Sequence, residues 1–133
     1  EFQMAVHQLE HEISGLYPRV AHGAGLAALW CSWARYVYPA NLRRWVQYAA
    51  HVWNLDVDYE HPEATVQAAS DLQEQYYLSI GLPIGLKALG VAEADLPRLA
   101  LGCSRNRTRT LIGYRPLGYE DMLAIYQMAY ARG

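Results

Sequence analysis

A chain of 133 residues has room for one compact core. With 53% hydrophobic residues, 11 Tyr and 4 Trp against a single Phe, it has ample material to fill one. The net charge of −2, with no basic run longer than Arg43-Arg44, excludes a nucleic-acid or anionic-membrane footprint, and its two cysteines exclude a disulfide framework, so a reducing, cytoplasmic compartment is expected.

The chain opens on Glu1-Phe2-Gln3 without an initiator Met and drops directly into helical pattern, which reads as a piece of a longer protein. Met4, Val6, Leu9, Ile13 and Leu16 recur at three- and four-residue steps and predict a first helix from Phe2 to Tyr17, stopped by Pro18. A second helix, His22 to Tyr38, is apolar nearly all round and is expected to be central. Asn41 caps a third through Trp53, with Trp45, Val46, Ala49, Val52 and Trp53 inward.

Glu63 to Ile80 reads as a long helix with Val66, Ala69, Leu72, Tyr76 and Ile80 on one face, ended by Gly81. A short helical piece at Leu86 and Leu89 and a helix around Glu93–Leu101 follow, then an irregular segment from Gly102 to Gly118. Tyr119-Glu120-Asp121 opens the last helix, with Met122, Leu123, Ile125, Tyr126 and Tyr130. No period-2 strand is evident, so the expectation is an all-α array of about six or seven helices. The most apolar run, Gly25 to Trp33, is shorter than the ~20 residues of a membrane span, and no segment reads as a signal peptide.

His7, His11 and His22 are three of the five histidines. Residues four apart share a helix face, so His7 and His11 point the same way. His22 opens the antiparallel neighbour after a Pro-containing turn, where Gly23 and Gly25 permit close backbone approach. Three readings are open: hydrogen-bonded polar residues at the end of a helix pair, a protease site, and half of a metal site. His7-Gln8-Leu9-Glu10-His11 matches the H-x-x-E-H pattern of inverzincins, with Glu10 as general base. That site needs an anionic third ligand, and Glu60, Glu63 and Glu74 stand in no second motif. Glu10 suits a place behind the ligands as well as catalysis. Neutral imidazoles leave a divalent ion uncompensated, and the start of the second helix presents a positive dipole end, so a carboxylate must come from elsewhere.

The pattern His7-x3-His11, Glu12-x-Ser14-Gly15-x-Tyr17 and Ala21-His22-Gly23-Ala24-Gly25-Leu26-Ala27 resembles the iron-containing (group III) alcohol dehydrogenases, in their NADPH-dependent butanol dehydrogenase branch. Trp33-x2-Tyr36-Val37, Tyr48-Ala49-x2-Val52-Trp53, Gly81-Leu82-Pro83 and Glu120-Asp121-x3-Ile125-Tyr126 extend the likeness over essentially all of residues 1–133. It implies the all-α C-terminal domain of a dehydroquinate synthase-like fold, facing a nucleotide-binding N-terminal domain that precedes residue 1. In the family an Asp and three His hold one divalent ion, Fe²⁺ or Zn²⁺. The resemblance implies that His7 and His22 are two of those ligands, the Asp and the remaining His lying upstream, and that His11 is a catalytic position near the nicotinamide and the substrate.

His22 follows His7 by one residue more than in the family pattern, the extra residue falling in the Tyr17–Ala21 turn. NAD(P)H, a small alcohol or aldehyde and a possible homodimer are further implications. No G-x-G-x-x-G or phosphate-cradling loop occurs, so this stretch by itself is expected to be inactive and to bind metal weakly. The Trp and Tyr residues of the second and third helices are expected to pack the core. Asn106-Arg107-Thr108 matches a glycosylation sequon by chance, Arg105, Arg107 and Arg109 read as a solvated loop, and His51 and His61 read as surface residues.

Overall fold

The structure is a computed structural model and describes residues 5–132. Phe2 and Met4, which open the expected first helix, lie outside the described residues. The described residues form six α-helices: α1 (Ala5–Leu16), α2 (His22–Val37), α3 (Leu42–Val52), α4 (Pro62–Ser79), α5 (Leu96–Cys103) and α6 (Tyr119–Ala131). Short 3₁₀ turns at Tyr38–Asn41, Lys87–Leu89 and Glu93–Asp95 join them. Among the described residues an isolated antiparallel bridge, Leu111 to Leu117, is the sole strand-like pairing.

Local chemistry sets the helix ends. Asn41 accepts from the Arg44 N–H at 3.3 Å and so caps α3. Gly81, at φ +84°, takes the left-handed turn that stops α4. Asp121 reaches back to the Gly118 N–H at 2.9 Å and closes the start of α6. Asn54, at φ 55°, turns the chain away after α3.

Helix α2 is central, as its all-round apolarity predicts: it packs against α1, α4 and α6, while α5 braces both α1 and α6. Leu9 and Ile13 of α1, Leu29 and Ala34 of α2, and Ile125 and Tyr126 of α6 are sealed from solvent. The Tyr126 hydroxyl donates to the Leu9 carbonyl at 2.6 Å, which satisfies the polar tip of a buried ring. That bond ties α6 to the turn of α1 on which His7, Glu10 and His11 lie.

Two expected faces differ in the structure. On α4, Val66 and Ala69 are buried, but Tyr76 and Ile80 are exposed and the buried face runs through Ser70 and Glu74. Arg35 donates two bonds to Glu74, at 2.9 and 2.7 Å, and Arg132 donates from the other side, so a carboxylate replaces the apolar residue that periodicity puts there. On α3, Trp45 and Ala49 are buried whereas Val52, the last residue of the helix, is 63% exposed.

Candidate metal centre

The structure brings together the three histidines that the sequence singles out. One ring nitrogen from each of His7, His11 and His22 lies within 4.8 Å of the others. Ring centroids stand 5.2 Å apart for His7 and His22, 5.5 Å for His11 and His22, and 6.3 Å for His7 and His11. His7 and His11 project one turn apart from α1, and His22 is the first residue of α2. In the intervening turn the Val20 N–H bonds the Tyr17 carbonyl at 3.0 Å. The His22 ring still reaches His7, with Nε2 3.3 Å from Nδ1.

This donor set fits a divalent transition metal. Imidazole nitrogens about 2.1 Å from a shared tetrahedral ion stand roughly 3.4 Å apart, close to the observed His7–His22 separation. Imidazoles suit Fe²⁺ and Zn²⁺ alike. The three rings are half-buried to exposed on the α1–α2 face, so an ion there is open to further ligands and to substrate.

Glu10 is not placed for the chemistry of a protease. It has no solvent exposure; its Oε1 contacts the His22 Nδ1 and its Oε2 accepts from the Ser14 hydroxyl at 2.7 Å. A general base must reach an attacking water, and this carboxylate points into the α1–α2 seam. The other carboxylates considered with it stand elsewhere: Glu60 and Glu63 are exposed, and Glu74 is committed to Arg35 and Arg132.

A cavity of about 710 Å³ adjoins His7, walled by Leu26, Trp30, Trp33, Trp45, Tyr48 and Tyr114 among others, with Arg44 and His51 also lining it. The aromatic residues of α2 and α3 thus do both jobs. Trp33 and Trp45 are core residues, 6% and 4% exposed, and they also form the cavity wall with Trp30, 5.8 Å from Trp45 between centroids. Edge-to-face packing of this kind holds large rings in fixed positions. The sequence favours the core for them over a pocket wall; the signal for a wall is the pair Trp30 and Trp33, about two and three turns beyond His22 on α2. A smaller, more polar cavity of about 380 Å³ lies beside His11, with Glu12, Arg98 and Asn106 among its residues.

The remaining basic residues are engaged elsewhere or exposed. Arg107 stacks over Tyr119 at 4.1 Å, Arg109 donates to the Cys103 carbonyl at 3.0 Å, and Arg105 is exposed. His61 is exposed, and His51 is exposed at the edge of the larger cavity.

The helical packing recurs in known proteins. The model of the Fe-containing alcohol dehydrogenase family, C-terminal, matches residues 1–130. NADH-dependent butanol dehydrogenase A of Clostridium acetobutylicum is 33% identical over 125 residues, covering 93% of this chain and 32% of that protein. Its B counterpart in the same organism is 29% identical over 124 residues. The crystal structure of NADH-dependent butanol dehydrogenase A from Thermotoga maritima superposes with a TM-score of 0.86 at 25% identity, covering 96% of this chain and 33% of that one. The chain therefore spans about a third of the length of the relatives it matches. With the match running through both histidine-bearing helices and on to α6, the chain belongs to the Fe-containing alcohol dehydrogenase family and corresponds to its C-terminal, all-helical domain.

Proposed function

We propose that this chain supplies the C-terminal half of the active site of a nicotinamide-dependent alcohol dehydrogenase or aldehyde reductase. The observation that carries the reading is the convergence of His7, His11 and His22, with ring nitrogens within 4.8 Å of one another, in a chain of this family. His7 and His22 hold a divalent ion, Fe²⁺ or Zn²⁺. When bound, the ion supplies Lewis-acid polarisation of the substrate oxygen. Hydride transfer belongs to the nicotinamide, which a separate N-terminal domain holds, since residues 1–133 carry no dinucleotide-binding glycine loop. The named relatives are NADH-dependent butanol dehydrogenases and lend no support to a preference for NADPH.

The chain's own residues then have three tasks. His11 sits one turn beyond His7 on the open side of the cluster and exchanges a proton with the substrate oxygen through its imidazole. Trp30, Trp45 and Leu26 receive the apolar part of the substrate beside His7 and keep water from it. The α1–α2 seam holds both ligand histidines on rigid helices, so their spacing is set before the ion binds.

Metal titration of the full-length protein tests this assignment. His7→Ala and His22→Ala should each lose more than the ~100-fold in affinity that removal of an outer-shell partner costs. His11→Ala should bind metal nearly as the parent does and lose about 10²-fold or more in kcat. Unaltered binding in both ligand variants would sink the assignment, and a loss of metal in His11→Ala would make His11 a third ligand.

A further inference from the structure

Beneath the histidines lies a group that the metal reading does not use. Glu10 is completely buried, and three features from two helices converge on it. The His22 Nδ1 meets its Oε1, and Ser14, one turn along α1, donates to its Oε2 at 2.7 Å. Gly25 lies directly against it: a Cβ there would come within 2.3 Å of Oε2 and 2.6 Å of Cγ. The carboxylate also sits by the first turn of α2, which has no side-chain cap, at the positive end of that helix dipole.

We infer that Glu10 is a positioning residue for the metal centre, holding His22 by its Nδ1–H so that Nε2 faces the ion; this rests on the reading of His22 as a ligand. A carboxylate oxygen at hydrogen-bonding range of a ring nitrogen accepts that nitrogen's N–H, which leaves the imidazole lone pair on the opposite nitrogen. The opposite nitrogen is Nε2, the atom 3.3 Å from His7 Nδ1. Such a carboxylate–histidine pair fixes the ring orientation, raises the basicity of the ligand and places an anionic group behind the ion. Ser14 holds the second carboxylate oxygen so that the first stays aimed at His22, and the missing side chain at position 25 makes the room. The resemblance of His7–His11 to a protease motif thus has a different physical basis: Glu10 serves the ligand on the neighbouring helix, not a water.

The experiment compares the full-length parent with Glu10→Gln, Glu10→Asp, Gly25→Ala and His22→Ala. Zn²⁺ affinity is read by chelator competition, and ligand geometry by the visible spectrum of the Co²⁺-loaded protein. Glu10→Gln should weaken Zn²⁺ about 10- to 100-fold and alter the Co²⁺ spectrum. Glu10→Asp, which keeps the carboxylate on a shorter arm, should recover part of that loss. A purely structural role would instead lower thermal stability and leave affinity and spectrum at their parent values, and that result would overturn the inference. If Glu10→Gln does not fold, Gly25→Ala decides, since its methyl group displaces Glu10 from His22 with the carboxylate retained. Weakened Zn²⁺ binding by folded Gly25→Ala supports the inference, and parent-like binding overturns it. Failure of the ligand assignment itself would show separately, as parent-like binding in His22→Ala.

Discussion

Burial governs the chemistry open to individual residues. Cys31 and Cys103 are 2% and 0% exposed. Burial pushes their thiols up, to about 12 and about 11, so neither is a thiolate near neutral pH. Cysteine is a soft metal ligand and a nucleophile only as the thiolate. Both are buried free thiols, and neither belongs to the cluster of His7, His11 and His22. Iodoacetamide at pH 8 should leave them unmodified in the folded protein and alkylate both in denaturant, as mass spectrometry of the two digests would read. Modification of either under native conditions would mean that its helix opens locally on the timescale of labelling. Tyr48, beside the larger cavity, follows the same rule: burial raises it to about 12, and it stays a neutral donor, bonded to Gln73 at 2.7 Å.

At the scale of elements, α4 is joined to α2 and to the end of α6 by one carboxylate. Burial alone would push Glu74 up, but the hydrogen bonds and charges of Arg35 and Arg132 outweigh it and hold the carboxyl below its usual range. A group whose folded pKa is depressed contributes stability above its unfolded value, about 4.3 for Glu, and loses that contribution as pH falls through the lower folded value. Glu74→Gln should therefore cost about 2–3 kcal/mol at pH 7, because Arg35, only 13% exposed, keeps Asp71 but loses the more buried of its two charged partners, and Arg132 loses its own. The gap between variant and parent should begin to narrow as the pH drops below about 4.3 and go on narrowing toward the lower folded value. Urea unfolding of both proteins at pH 7, 5 and 3 checks the size and the sign together. A gap that does not narrow between pH 5 and pH 3 would assign the loss to packing in place of charge.

For the molecule as a whole, the α1–α2 pair presents its histidines on an open face, and the larger cavity beside it has an aromatic wall on one side. A hydride-transfer site needs the nicotinamide within reach of the substrate carbon, and residues 1–133 hold no phosphate-cradling loop to place it. The isolated polypeptide 1–133 should fold as a helical domain, bind NADH and NADPH no better than at millimolar levels, and give no aldehyde-dependent loss of absorbance at 340 nm. Far-ultraviolet circular dichroism establishes folding in the same sample. Turnover by the folded polypeptide would overturn the division of labour proposed for the two domains. Among the described residues no helix is long and apolar enough to cross a membrane.

The features that the sequence determined by itself are those set within a few residues. Periodicity located the helices, and Asn41 and Gly81 marked ends because capping and left-handed turns depend on one residue and its neighbours. The His7–His11 pair was legible for the same reason, as was the family, through motifs spread along the chain. Tertiary structure alone decided the rest. Glu10 meets a ring twelve residues away and Glu74 meets Arg132 fifty-eight residues away, so no local pattern could tell a buried, partnered carboxylate from a catalytic or solvated one. The inward face of α4 turned on that second pairing. The aromatic residues of α2 and α3 likewise became a wall as well as a core only when four helices and the loop of Tyr114 met around one space. Helix formation is a nearest-neighbour matter, whereas the burial of charge and the shape of a cavity are sums over parts of the chain that meet only on folding.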